Sequence, residues 1–247
     1  MTPDTEAPDA DSDADGLPIV EPPFDDATAD DPDDAKTDDT PPPDRTGDRH
    51  VPGILLAAGM STRFGDRNKL LVEIEGEPIV RHAARTLLDS AVGSVTVVVG
   101  YEADRIREAL VDLPVSFVAN PEYWTGQASS VRRGIDAIRA DAAVFRPTDG
   151  PDAAVFALGD MPFVESASVD ALVDAHRAGV SDALAAAYRG ERGNPALFGS
   201  RHFGALASVS GDVGGRDIIT SAGTLVETGD PGVRRDVNVP GDVAGDA

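Results

Sequence analysis

The chain has 247 residues, 41% of them hydrophobic, enough for one domain with a substantial core. Its 44 acidic residues against 21 basic ones give a formal net charge of −23, which excludes a general nucleic-acid binder because the polyanion would be repelled. There is no cysteine, hence no disulfide framework, thiolate metal site or cysteine nucleophile, and no apolar run long enough to span a membrane.

Residues 1–50 hold 17 of the acids and three of the basic residues, with Leu17, Ile19, Val20 and Phe24 nearly the only large apolar side chains. A segment of this kind cannot bury enough surface to offset its ordering entropy, so composition predicts a disordered acidic tail over 1–50 and a folded domain over 51–247. Within the tail, "LPIVEPPF" is the stretch that could dock. The acidic start also lacks the basic residues and apolar stretch of a signal peptide, so a soluble cytoplasmic protein is expected. Two lysines against nineteen arginines, on so acidic a chain, suit a salt-loving organism or a GC-rich genome.

From Val51 onward the pattern alternates between strand and helix. "GILLAA" is a short glycine-bounded apolar run, as a buried parallel strand should be. "EPIVRHAARTLLDSA" has helical spacing with Pro78 in its first turn, "SVTVVVG" is the second strand, "DRIREAL" a helix and "PVSFVA" the third strand. "SSVRRGIDAIRA" is helical, "AAVFALGD" a buried strand, and "SASVDALVDAHRAG" a helix that Ser166 or Ser168 could cap. "SDALAAAY" and "NPALFG" read as a strand pair about the turn "RGERGN", followed by short helices and the strands "TLVET" and "VRRDVNV". The order implies a single α/β domain, Rossmann-like, with a mostly parallel sheet covered on both faces. Ligands of such sheets bind beyond the carboxyl ends of the strands.

Two stretches carry chemistry at that edge. In "LLAAGMSTRFGDRNKLL" the first strand enters a glycine turn whose amides can face an anion, with Arg63 and Lys69 adding positive charge. It is neither a Walker A loop nor a dinucleotide fingerprint, since Gly65 is followed by Asp66 and no G-x-G-x-x-G occurs. Lys69 is the one lysine after His50, and a compact ammonium suits bridging phosphate oxygens. In "ALGDMPF", Asp160 ends a buried strand and is placed to bind Mg²⁺ together with ligand phosphates; helix capping is its ordinary alternative.

Both stretches resemble signatures of the MobA-like nucleotidyltransferases, and "NPEYWTGQASSVRRGI", "GNPALFG" with "SGDVGGRDII", and "DVNVPGD" are similar to further family motifs in the same order. The pattern is most similar to the molybdenum cofactor cytidylyltransferases. The resemblance implies a three-layer α/β/α fold of the nucleotide-diphospho-sugar transferase type. The implied reaction is transfer of a nucleotide from CTP or GTP to a molybdopterin-type or other phosphorylated small molecule. It implies that the backbone of Leu56, Ala57 and Ala58 faces base and ribose, and that Gly59, Ser61 and Arg63 wrap the β- and γ-phosphates. Lys69 would reach the α-phosphate, Asp160 would hold Mg²⁺, and Gly126 to Ser130 would border the base, with Gln127 or Ser130 as polar contact. Asn238 stands where relatives have a second metal-binding aspartate and could still bind Mg²⁺ through its carbonyl, with Asp236 as a fallback ligand. Asn194 stands where relatives often have a histidine facing the acceptor. Arg216 would grip the acceptor's phosphate or form a surface ion pair. Trp124 could stack on a ring or anchor its loop, and His82, His176 and His202 read as packing or surface residues. A transferase with another acceptor, or a nucleotide-binding protein without turnover, is the alternative.

Overall fold

The computed structural model describes residues 16–24, 50–61, 64, 67–145, 150–211, 215–238 and 242. In chain order the elements are β1 (Ile19–Val20), β2 (Gly53–Ala57), β3 (Glu73–Ile74), β4 (Glu77–Pro78), α1 (Ile79–Leu88), β5 (Val95–Val99), α2 (Ala103–Ala109), β6 (Ser116–Ala119), α3 (Gln127–Phe145), β7 (Ala153–Leu158), α4 (Ser166–Arg177), β8 (Ala183–Tyr188), β9 (Glu191–Gly199), α5 (Phe203–Leu206), α6 (Arg216–Ala222) and β10 (Thr224–Glu227). Eight strands form one sheet in the order β1-β10-β8-β9-β7-β2-β5-β6, and β3 and β4 make a separate small hairpin.

Within the large sheet only β9 runs antiparallel, to both β7 and β8. It enters through a two-residue turn in which Arg189 and Gly190 both have φ near +54° and +73°, the backbone a tight hairpin needs. The period of two sorts the strands between two helical layers. Leu55, Val97 and Val99 pack with α1, α2 and α4, whereas Ile54 and Val98 pack with α3, α5 and α6. This is the three-layer arrangement implied above. Among the described residues no helix is long and apolar enough to cross a membrane.

Three local expectations are corrected. Ile19–Val20, inside the stretch whose composition predicts disorder, pairs parallel with Leu225–Val226 at the sheet edge, and Leu17 is buried beside them. The segment borrows a core it could not build alone. The stretch "VRRDVNV" is not a strand. Pro231–Arg234 forms a 3-10 turn capped by Asp230, whose carboxylate accepts the Gly232 N–H at 2.7 Å, and 235–238 then runs on without sheet pairing. Finally, no serine caps α4: Glu165 occupies the N-cap without a side-chain bond. The buried Asp230 accepts both the Glu165 N–H (2.9 Å) and the Ser168 hydroxyl (2.8 Å), so one carboxylate ties the start of α4 to the 231–234 turn.

Candidate active site

β2 is buried apart from half-buried Leu56 and releases the chain at the carboxyl edge, where Gly59 and Met60 are exposed. Ser61 then turns through a left-handed φ of 53°. Its hydroxyl accepts the Lys69 N–H at 3.2 Å and donates to Asn68 Oδ1 at 3.4 Å, while the same Asn68 oxygen accepts the Leu70 N–H at 3.1 Å. The glycine loop is thus closed onto the short turn Lys69–Leu71, and buried Phe64 fixes it against Ile79 and Val237. Arg63, Gly65 and Asp66 lie outside the described residues.

Beside β2, β7 ends at Leu158, and the Gly159 N–H bonds to Leu56 O at 3.0 Å. A Cβ at Gly159 would sit 3.1 Å from that oxygen, so the glycine permits the close crossing that presents Asp160 to the loop. Asp160 and the Lys69 ammonium form an ion pair, both side chains less than one-fifth exposed. Lys69 Nζ also donates to Asn238 Oδ1 at 3.2 Å. Asn238 is oriented in turn: its amide donates to Asp236, and its N–H donates to Asp242 at 2.8 Å. The Val237 N–H bonds to the Asp160 carbonyl at 2.9 Å, fastening this C-terminal stretch to the centre. Residues 91 and 169 positions from Lys69 therefore meet at one ammonium. The donor set fits a small hard divalent cation, because a carboxylate and an amide oxygen already converge on one positive charge.

The opposite boundary is the segment 123–130. Tyr123 packs so tightly against Gly100 that a Cβ there would lie 2.6 Å from Tyr123 Cβ and 2.8 Å from Ala58 Cβ. Gly126 takes φ of 107° and delivers Gln127 to the first turn of α3, where it is exposed. Buried Asn120 donates to the hydroxyls of Ser129 (2.8 Å) and Ser130 (3.0 Å), fixing the start of that helix. Together the loop, Lys69, Asp160 and this segment enclose a cleft of about 560 Å³. A second pocket of about 270 Å³ shares Leu56, Gln127 and Leu158 as its wall. It is lined by aromatic and aliphatic side chains, among them Phe156 and Phe198 packed edge to face at 5.8 Å, with Arg192, Asn194 and Arg216 as its polar residues apart from shared Gln127.

Residues 53–226 match the MobA-like NTP transferase domain, which is well over half of the chain. The chain belongs to the MobA-like NTP transferase family. Nicotine blue oxidoreductase of Paenarthrobacter nicotinovorans is 31% identical over 190 residues, covering 73% of this chain and 88% of that protein. The bifunctional protein GlmU of Kineococcus radiotolerans is 34% identical over 128 residues, 51% of this chain but 24% of GlmU. The chain spans about a quarter of the length of the GlmU relatives it matches. A nucleotidyl transferase from Methanothermobacter thermautotroptrophicus shares the fold with a TM-score of 0.64 at 22% identity, over 78% of this chain and 94% of that one. Rv0371c of Mycobacterium tuberculosis, solved in complex with manganese, does so with a TM-score of 0.63 at 22% identity, over 78% and 95%.

In this MobA-like chain Gly59, Ser61, Lys69, Gly126, Gln127, Ser130 and Asp160 line one cleft, and Asn194 and Arg216 line the adjoining pocket. Leu56 and Ala58 are on the cleft wall, but their carbonyls already accept the Gly159 and Tyr101 N–H groups. Ala57 is buried, its methyl in the core on the α1 side. Three contributors escaped the sequence reading. Asn68 ties the loop to the Lys69 turn, Asn120 seats Ser130, and Arg192 joins Arg216 in the second pocket. Arg192 lies two residues before Asn194 in a stretch already singled out, so its position was a usable signal.

Proposed function

We propose that the protein transfers a nucleoside monophosphate, CMP by resemblance, from a nucleoside triphosphate to a phosphorylated acceptor of the molybdopterin type, releasing pyrophosphate in the cytoplasm, where such nucleotides are abundant. The observation that supports this most is the meeting of Lys69 and Asp160 in a cleft bordered by the glycine loop, with Asn238 bonded to the same ammonium. A phosphate oxygen of the acceptor attacks the α-phosphorus, the bond to the bridging oxygen of the β-phosphate breaks, and pyrophosphate carries that oxygen away. The acceptor oxygen is already ionised, so no general base is required, and positioning with charge neutralisation supplies the rate. Lys69 neutralises charge gathering at the α-phosphate, and the loop amides after Gly59 hold the rest of the triphosphate. Asp160 and Asn238 would hold Mg²⁺, which when bound adds Lewis-acid stabilisation of the phosphate oxygens. The manganese complex of a fold neighbour is in keeping with a divalent ion here. In the second pocket Arg192 and Arg216 would hold the acceptor's anionic group, with Asn194 beside them.

The test is pyrophosphate release from CTP, GTP, ATP and UTP, with and without molybdopterin. Lys69→Ala and Asp160→Ala are each expected to lower turnover by about two orders of magnitude or more while leaving the fold intact. Release near the wild-type rate from either variant overturns the proposal. Because one relative is named nicotine blue oxidoreductase, the same samples are assayed for oxidoreductase activity on nicotine blue; turnover there without pyrophosphate release would replace the proposal.

A further inference from the structure

Among the described residues three large apolar side chains are exposed: Met60 (41%), Val111 (78%) and Trp124 (60%). Two of the three, Met60 and Trp124, line the nucleotide cleft. An indole left in water forgoes the burial that makes tryptophan worth its size, and such surface concentrated at a cleft marks a place where a partner supplies the missing contact. Trp124 is also held firmly. Its neighbour Tyr123 meets it edge to face at 5.3 Å and packs against Gly100, where a Cβ would lie 2.6 Å from Tyr123 Cβ. The Thr125 N–H closes the turn onto the Glu122 carbonyl at 2.9 Å. Tyr123 anchors this loop, which leaves the indole free for another task.

We infer that Trp124, with Met60 at the same mouth, is the stacking platform for the base of the nucleoside triphosphate. The inference rests on the nucleotide reading of the cleft given above. The occupant is the nucleotide rather than the acceptor because Trp124 shares its cleft with Gly59, Ser61, Lys69 and Asp160, whereas the pocket holding Arg192 and Arg216 does not include it. Every base has a π-face, so stacking confers affinity without choosing among bases. Choice is left to polar groups such as Gln127.

Trp124 is the one tryptophan of the chain, so fluorescence excited at the red edge, beyond tyrosine absorption, reports on it alone. The full-length protein is titrated with CTP, GTP, ATP and UTP and, separately, with tripolyphosphate, affinities being measured in parallel by calorimetry. Fluorescence should change with at least the nucleotides that bind and stay unchanged with tripolyphosphate. Trp124→Ala should weaken nucleotide binding by roughly tenfold or more, equally for each base that binds, and Trp124→Phe should recover most of the loss. Nucleotide binding with unchanged fluorescence, and with full affinity in Trp124→Ala, overturns the stacking role while the nucleotide reading stands. Failure of the wild type to bind any triphosphate overturns both.

Discussion

Lys69 lies where a divalent ion would be expected, since its ammonium bonds to both oxygen donors of the cleft floor. On the proposed reading, lysine and metal would compete for Asp160 and Asn238 until a phosphate drew the ammonium away. Lys69→Met removes a positive charge next to the metal donors, so Mn²⁺ should bind the nucleotide-free protein about tenfold more tightly than it binds the wild type, even as turnover falls. Counting free Mn²⁺ by electron paramagnetic resonance checks this, and equal affinities would show that the ammonium does not occupy the metal position. Asp160 was legible in the sequence because it follows a buried apolar run, which a parallel strand delivers to the carboxyl edge, and Lys69 because it is the one lysine after His50 and stands beside the glycine loop. Asn68 and Asp230 were not legible. Each is an ordinary turn residue whose importance depends on which amides and hydroxyls happen to lie opposite it.

At the level of elements, the centre depends on how closely β9 approaches the 231–234 turn. A Cβ at Gly193 would lie 2.1 Å from the Val233 carbonyl oxygen, so Gly193→Ala must push that turn away and carry Asn238 with it. We expect strongly reduced turnover with far-ultraviolet circular dichroism unchanged; full activity would mean that the turn does not position Asn238. The glycine was visible as part of "GNPALFG", but its reason lies across the fold. The same holds for the alternating valines of "VRRDVNV", which read as a strand until Asp230 and Pro231 impose a turn. β1 was missed for a related cause. Composition asks whether a segment can bury itself, whereas Leu17 and Ile19 are covered by α6 and the edge of the sheet. Leu17→Ala should cost about 2 kcal/mol in chemical denaturation, and no measurable loss would mean that the segment is only loosely attached.

For the molecule as a whole, charge sets the operating conditions. A net −23, more than half of it in residues 1–50, opposes compactness and, under the proposed function, the approach of two anionic substrates. At ordinary ionic strength salt screens the repulsion between charges more than about 10 Å apart, and more salt screens closer pairs too. The melting temperature should therefore rise between about 0.1 M and 2 M KCl, and a flat or falling curve would argue against adaptation to salt. The order of strands and helices, and hence the three-layer fold, was the most legible part, because buried strands and amphipathic helices differ in period along the chain itself. The pairing of the Lys69–Asp160 cleft with its neighbour was not, because two pockets that share Leu56, Gln127 and Leu158 exist only once β2, α3 and β7 lie side by side. Lastly, Val237 fastens to Asp160, and Asn238 reaches Lys69 from 169 positions away. A ribosome must therefore have released nearly the entire domain before the centre can close. A nascent chain halted halfway lacks both Val237, which packs with Phe64 of the glycine loop, and Asn238, so the order of translation withholds this centre from unfinished copies.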